Sequence, residues 1–303
     1  MKSILHVNSI NELHKLMHYG KPKHPLISLM DLAKTQIDAS ENDTKIITNF
    51  YSITFKKIPN GTFLYGRKNC DYDEASLLCI SPGQTITIKG IDKNWHMDGW
   101  GLFFHQDLIR NTFLMNKIEE YSFLGYNENE SLHLSEHESD LLQKIINVIE
   151  TEYQLNLDVY SRDIIVSNIE VLLNYCRRFY GRQFITRTSS NYETVGKFEN
   201  YLKQYFTLDI TKADGLPTVS YFADKLSLSA SYLSDLLKQE TGKSAKEHIH
   251  FKLIEVAKNR LLASNEPVSH IAYDLGFEQS QNFSRLFKQK TGYTPKEFRN
   301  TSE

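Results

Sequence analysis

Four hydrogen-bonding side chains recur at helical spacing near the C-terminus of this 303-residue chain. They are Gln281, Ser284, Arg285 and Lys288, at positions i, i+3, i+4 and i+7, and this spacing places them on one face of a helix. Arg and Gln can each form two hydrogen bonds with a base edge in the DNA major groove, and Lys can contact phosphate. This face therefore predicts the reading of double-stranded DNA. An ordinary amphipathic helix with a solvated polar face is the alternative.

The residues around this face predict a helix-turn-helix. The apolar stripe on the other side of the same helix is Phe283, Leu286 and Phe287. A short preceding helix is predicted from Ile271, Ala272 and Leu275. Gly276 suits a turn that needs positive φ, and Ser280 is expected to cap the second helix.

The same pattern occurs twice, about 50 positions apart. The first copy consists of Ala223, Leu226, Leu233, Leu237, Lys238, Thr241, Gly242, Lys246 and Glu247. The second copy consists of Ala272, Leu275, Phe283, Phe287, Lys288, Thr291, Gly292, Lys296 and Glu297. The polar face of the first copy is Ser231, Ser234, Asp235 and Lys238. Asp235 could accept a hydrogen bond from a cytosine amino group, or it could pair with a nearby Lys, since its carboxylate would be repelled by phosphate. We therefore expect the second copy to read more of the bases.

One continuous helix is predicted between the two copies. Ser244 and Glu247 have the spacing of a capping box, and they open a run with apolar residues at helical intervals. Such a connector would hold the two second helices about 34 Å apart, which is one turn of DNA. Thr294, Pro295 and Glu297 predict a further helix start after the second copy.

Residues 192–299 resemble the DNA-binding domain of the AraC/XylS family of bacterial transcription regulators. The resemblance is carried by Ala223, Leu226, Tyr232, Leu233, Ser234, Thr241, Gly242, Ala257, Leu261, Leu262, Ile271, Ala272, Gly276, Phe277, Phe283, Ser284, Arg285, Phe287, Lys288, Thr291, Gly292, Thr294, Pro295, Phe298 and Arg299. It implies an all-α domain with two helix-turn-helix motifs. The expected DNA contacts are Ser231, Ser234, Asp235, Lys238, Gln281, Asn282, Ser284, Arg285 and Lys288. The chain departs from the family at Leu237, where Phe is common, and at Asp235, where a polar or basic residue is common.

The N-terminal part has a different sequence pattern. From about Lys23 to His105, short β-rich runs alternate with turns, of which Asn60-Gly61 is a strong example. Many short strands without long helices predict an antiparallel barrel or jelly roll. Residues 78–84 and 99–108 resemble the cupin-like sensing domain of the same family. The expected fold class is multidomain α+β, with a cupin-like antiparallel β-barrel and a helical hairpin before the all-α double helix-turn-helix domain.

Two amphipathic helices are predicted between these parts. Ser135 and Glu138 form a capping box for the first, which runs to about Gln154, and the second runs from about Val159 to Tyr180. Their apolar stripes serve either intramolecular packing alone or a homodimer contact. The predicted domains are a sensing domain at 1–132, the hairpin at 133–180, a linker at 181–192 and the DNA-binding domain at 193–303.

A small-molecule effector is implied by the resemblance to the sensing domain. Candidate pocket residues are Tyr65, Trp95, Trp100, Phe104 and His105, although aromatic residues in a small barrel also predict plain core. A metal-dependent cupin enzyme would need grouped His and carboxylate side chains, and only His96, Asp98 and His105 are available, without a tight His-x-His pair. We therefore expect no catalytic residue, metal or cofactor. The other alternative is an interaction scaffold that does not bind DNA.

Composition favours a cytoplasmic globular protein. Cys70, Cys79 and Cys176 are widely spaced and predict reduced thiols, and no apolar run approaches the roughly 18 residues of a membrane span. The net charge is −2, and residues 193–303 contain 15 Lys plus Arg against 14 Asp plus Glu. We therefore expect DNA binding to depend on the local placement of cations, with the remaining affinity supplied by dimerisation or by contact at two sites. RNA polymerase is an expected partner if the protein is an activator.

Overall fold

The structure is a computed structural model that describes residues 4–38, 44–57, 64–65, 68–69, 75–87, 98–155, 158, 160–207 and 210–300. The chain divides into two compact units, Met1–Thr186 and Arg187–Glu303. The division falls inside the predicted linker, residues 181–192.

The strands of the first unit are β1 (Ile4–Val7), β2 (Ile27–Asp31), β3 (Lys45–Thr48), β4 (Phe50–Lys57), β5 (Leu64–Tyr65), β6 (Lys68–Asn69), β7 (Ala75–Ile80), β8 (Thr85–Thr87), β9 (Gly99–His105) and β10 (Leu132–Leu134). Five of them form an antiparallel sheet in the order β10-β7-β4-β9-β2. A second sheet has the order β1-β3-β8, and β5 pairs with β6. The α+β class is confirmed, but the described strands form open sheets and no closed barrel.

One strand pairing differs from the prediction of an all-antiparallel fold. β1 pairs with β3 in parallel, with Ile4 opposite Lys45 and Val7 opposite Thr48. A parallel pair needs a long crossover connection. The chain supplies one, because helix α1 (Ile10–Leu16) and β2 lie between the two strands in sequence.

The helices of the first unit are α1, α2 (Gln106–Ile109), α3 (Phe113–Lys117), α4 (Glu136–Gln154) and α5 (Ser161–Thr186), with 3₁₀ turns at Leu32–Lys34, Ile118–Glu120, Ser122–Gly125 and Glu128–Glu130. The predicted capping box of α4 is confirmed: the Glu138 amide donates to Ser135 Oγ at 3.3 Å, and the Ser135 amide donates to Glu138 Oε2 at 3.0 Å. α4 and α5 pack against each other.

The segment predicted as a linker, residues 181–192, is mostly helical, because α5 continues to Thr186 and α6 (Thr188–Thr207) follows. The physical reason is a buried polar side chain. Gln183 is buried on the core side of α5, where its Oε1 accepts the His133 amide at 2.8 Å and its amide group donates to the Ser131 carbonyl at 3.2 Å. A polar residue on the core side breaks the apolar period while the helix itself continues.

The second unit is all-α among its described residues. Its helices are α6, α7 (Ile210–Asp214), α8 (Val219–Leu226), α9 (Ala230–Thr241), α10 (Ala245–Ala263), α11 (Val268–Asp274), α12 (Ser280–Thr291) and α13 (Pro295–Asn300). The pairs α8–α9 and α11–α12 are the two predicted helix-turn-helix units, and α10 is the predicted connector. The helix starts predicted at Ser244 and Thr294 are confirmed, since Glu247 and Glu297 accept the amides of these two residues at 2.8 and 2.7 Å.

Gly276 lies in the turn between α11 and α12, and its φ is +92° as the sequence predicts. A Cβ at this position would lie 2.4 Å from the carbonyl carbon of Gly215 and 2.6 Å from the amide nitrogen of Leu216. Both atoms belong to the backbone, so they cannot move aside cheaply. Glycine is therefore required here for two reasons: the turn needs positive φ, and the backbone of Gly215 and Leu216 leaves no room for a Cβ.

We expect Gly276→Ala to destabilise the second unit by at least about 2 kcal/mol, since a left-handed residue with a Cβ costs about 1–2 kcal/mol and overpacking adds about 1–3. Gly196→Ala is the matched control: Gly196 is exposed within α6, has nothing within 4 Å of its Cβ position, and should gain up to about 1 kcal/mol. Thermal unfolding of both variants measures the difference. Equal melting temperatures would contradict the close approach.

Candidate nucleic-acid interface

Helix α12 is fixed by aromatic packing. Phe283 and Phe287 are fully buried, and their ring centroids are 5.7 Å apart. Phe283 also contacts Phe277 at 5.4 Å, and Phe287 contacts Phe298 of α13 at 5.4 Å. Ring–ring contacts of this kind stabilise the core beyond the effect of burying each ring. They hold one face of α12 in the core and thereby orient the opposite face outwards.

The outward face carries the residues expected to read DNA. Gln281, Asn282, Arg285 and Lys288 are exposed, and Ser284 is half-buried. Throughout the described part of the chain, no salt bridge or side-chain hydrogen bond engages Arg285 or Gln281. The two side chains that suit base edges best are thus open to a ligand.

The start of α12 differs from the prediction. Gln279, with φ −135° and ψ 125°, is the N-cap, and Ser280 is already the first helical residue. No side chain caps this end of the helix. The Ser280 prediction is therefore wrong by one position, because a residue with helical backbone angles cannot serve as the extended N-cap.

Helix α9 has the same construction with a different outer face. Its N-cap is Ser229, and Ser229 Oγ accepts the Tyr232 amide at 3.1 Å. Leu237 is fully buried, so Leu fills the core position where Phe stands in the second unit. On the outer face Lys238 is exposed, whereas its three predicted partners are half-buried. These three are Ser231, Ser234 and Asp235.

Polar contacts join the second helix-turn-helix unit to α10 and to the start of the domain. Arg260 on α10 pairs with Asp274 of α11 at 3.1 Å. Thr211 Oγ1 donates to the Asp274 carbonyl at 2.6 Å. Arg299 of α13 donates to the carbonyls of Leu261 and Glu266 at 3.1 and 2.7 Å. These contacts restrict movement of the second helix-turn-helix unit relative to α10.

Of the residues predicted to line an effector pocket, the structure describes the side chains of Trp100, Phe104 and His105, all on β9. Trp100 stacks on Phe55 at 5.5 Å and Phe104 stacks on Tyr51 at 5.0 Å, and both are buried. Successive side chains of a strand point to opposite faces, so His105 lies on the other side of the sheet from Phe104. Its Nδ1 accepts the Asp107 amide at 3.2 Å and caps α2. Trp95 and the Tyr65 side chain lie outside the described part of the chain.

Metal clusters and membrane spans are both absent from the described residues. These residues contain no group of three or more His, Cys, Asp or Glu side chains that could hold a metal ion. Asp98 is among them, whereas His96 lies outside the described ranges. No helix in these ranges is both long enough and apolar enough to cross a membrane.

Two thiols of the first unit are described, and both are buried. Cys79 and Cys176 are free and fully buried. Burial, and then a hydrogen bond with Cys176, raises the pKa of the Cys79 thiol well above its ordinary value. Both features favour the protonated thiol. Cys70 lies outside the described residues.

The sequence patterns do not predict one feature of the second unit. A groove lies along α10, and Lys243, Phe251, Lys258 and Lys290 line part of it. The detectable signal is Phe251, which is 60% exposed. Its neighbours in the groove come from separate segments, so spacing alone does not group them.

Comparison with known proteins agrees with the geometry of the second unit. Residues 222–301 match the profile of a family described as a helix-turn-helix domain. The transcriptional activator RhaS of Escherichia fergusonii is 36% identical over 77 residues, which are 25% of this chain and 28% of RhaS. A helix-turn-helix regulator from the cgkA 5′ region of Pseudoalteromonas carrageenovora, itself uncharacterised, is 35% identical over 101 residues, 33% of this chain and 55% of that protein.

A solved structure is similar over a comparable length. The C-terminal domain of the response regulator yesN from Fusobacterium nucleatum is 30% identical, with a TM-score of 0.30 over 34% of this chain and 93% of that domain. The chain spans about a quarter of the length of RhaS and about half the length of the Pseudoalteromonas regulator. The C-terminal part of the chain carries a helix-turn-helix domain of the AraC type.

Proposed function

We propose that the protein is a sequence-specific DNA-binding transcriptional regulator that reads two successive major grooves with α9 and α12. The observation that carries this proposal is the outer face of α12. There Gln281, Arg285 and Lys288 are exposed while Phe283 and Phe287 are fully buried. A reading helix needs both properties, since base recognition depends on polar side chains held in fixed positions.

The named relatives support the regulatory role. RhaS is a transcriptional activator, and this chain is similar to it over 77 residues. If this protein is also an activator, RNA polymerase is its expected partner. Because such regulators act on bacterial DNA, we place the protein in the cytoplasm.

We further propose that the first unit is a cupin-like sensing domain that responds to a small molecule. The proposal rests on the resemblance of residues 78–84 and 99–108 to such domains. Since Trp100 and Phe104 are stacked within the core, an effector would have to be held chiefly by other side chains of this unit.

We also propose that the α4–α5 hairpin forms a homodimer. Ile164 and Val171 lie seven residues apart on α5 and are 42% and 43% exposed. Val148 on α4 is 48% exposed. Two copies of a regulator bound side by side gain affinity from a high effective concentration. This suits a DNA-binding unit whose net charge is close to zero.

The proposed function is tested by selecting bound sites from random double-stranded DNA with the purified full chain, in the presence and absence of candidate effectors. A regulator of this kind should enrich a motif with two elements about one DNA turn apart. Well-folded protein that enriches no sequence would favour a scaffold that does not bind DNA.

Arg285→Ala should weaken binding to the selected site by about 1–3 kcal/mol and relax the preference at one base pair, since a bidentate contact to a base is lost. Lys288→Ala should weaken binding to all sequences alike, because a phosphate contact carries no sequence information. Binding curves against a panel of single-base variants separate the two effects. Unchanged affinity and base preference in Arg285→Ala would refute its role as a base reader.

Val171→Asp should shift the protein towards monomer, because a carboxylate in an apolar contact between copies loses its hydration. Sedimentation velocity at several concentrations measures the shift. Lys144→Asp is the control, since Lys144 is exposed on α4 and its replacement also adds a carboxylate to the hairpin. Identical monomer–dimer distributions in wild type and Val171→Asp would place the dimer contact elsewhere.

A further inference from the structure

A groove with a cavity volume of about 240 Å³ opens on α10 in the second unit. Three lysines line it: Lys243 from the turn after α9, Lys258 from α10 and Lys290 from the end of α12. Phe251 forms part of its wall, and the Lys243 ammonium lies 4.9 Å from the centre of the Phe251 ring. A cation over an aromatic face is held by the ring quadrupole. The ring therefore helps to position one of the three ammonium groups.

The acidic side chains of the groove already have partners. Glu247 Oε2 accepts hydrogen bonds from the Ser244 amide and hydroxyl at 2.8 and 2.7 Å. Glu255 pairs with Lys258 at 2.9 Å. By contrast, Lys243 and Lys290 form no salt bridge with any side chain in the described ranges. The groove therefore has two cations available for an anionic partner.

The titration of the groove residues agrees with an excess of positive charge. Burial, followed by the charges of Lys290 and Lys246, lowers the pKa of His250, which also lines the groove. Hydrogen bonds from Ser244, followed by the charges of Lys290 and Lys238, lower the pKa of Glu247. Nearby cations disfavour a protonated imidazole and favour an ionised carboxylate, and both effects are present here.

The position of the groove indicates which anion it meets. Lys243 follows Gly242, the C-cap of α9, and lines the groove together with Lys290. Lys238 belongs to the reading face of α9, and Lys290 lies at the C-terminal end of α12, two residues beyond the last polar residue of its reading face. The groove therefore lies between the C-terminal ends of the two reading helices. A duplex read by both helices has to pass this interval.

We propose that the α10 groove binds the DNA backbone between the two half-sites, with Lys243 and Lys290 contacting phosphates. This inference rests on the proposed function and adds a third, sequence-independent contact to the two reading helices. Phosphate contacts fix the register of a protein on the duplex while bases provide the specificity. The groove would thus set the spacing between half-sites without selecting their sequence. An acidic protein partner is the competing occupant.

The test compares the salt dependence of DNA binding in the full-length wild type and in the variant Lys243→Gln/Lys290→Gln, using the selected site. Each phosphate contact contributes about 0.9 to the slope of log K against log salt, so the double variant should lose about 1.8. Its base preferences should match the wild type. Lys144→Gln, on an exposed position of α4, removes a charge outside the groove and should leave the slope unchanged. Circular dichroism confirms that all variants are folded.

Two results would overturn the inference while leaving the proposed function intact. One is a double variant whose slope of log K against log salt equals that of the wild type. This result would favour an acidic protein partner as the occupant of the groove. The other is an equal loss of slope in Lys144→Gln, which would show a general charge effect. Weaker binding and a relaxed base preference in Arg285→Ala, together with a wild-type slope in the double variant, would support the reading helix and reject the groove. A wild-type protein that enriches no DNA sequence rejects the proposed function and the inference together.

Discussion

Burial of one side of α10 beneath both helix-turn-helix units is the constraint on which the reading surface depends. Leu253, Ala257 and Leu261 of α10 are at most 1% exposed, and they share one hydrophobic cluster with Leu233 of α9 and Phe283 of α12. In a close-packed core the displacement of one helix displaces its neighbours, because the side chains interlock with few voids. Neither reading helix can therefore shift without disturbing the other, and the distance between the two outer faces is a property of the core.

The second unit could be predicted in detail because its signals are local. Ser244 and Glu247 define a helix start within four residues, and Gly276 marks a turn by its conformation alone. The repeated apolar spacing then places both reading helices and assigns their buried sides. What local signals cannot supply is the close approach of Gly276 to Gly215, 61 positions earlier. That requirement is visible only once the chain is folded.

The first unit resisted prediction for a related reason. The pairing of β1 with β3, and the stacking of Trp100 on Phe55, join residues that are distant in sequence. An aromatic side chain in a short strand is compatible with a ligand pocket and with a core, and only the neighbouring strand decides between them. Gln183 illustrates the converse case, since its polarity suggests a linker while its hydrogen bonds place it inside a helix. Tertiary partners determine the role in each case.

The near-neutral charge of the DNA-binding unit follows from the way its carboxylates are used. Glu247 and Glu297 each accept hydrogen bonds at the start of a helix, where a negative charge also favours the helix dipole. Their charges thus stabilise α10 and α13. The cations Lys238, Arg285 and Lys288 are instead distributed over the outer faces of α9 and α12. Net charge counts both groups equally, but of the two only the cations lie on the outer faces of α9 and α12, so a unit with one excess positive charge can still present a cationic surface to DNA.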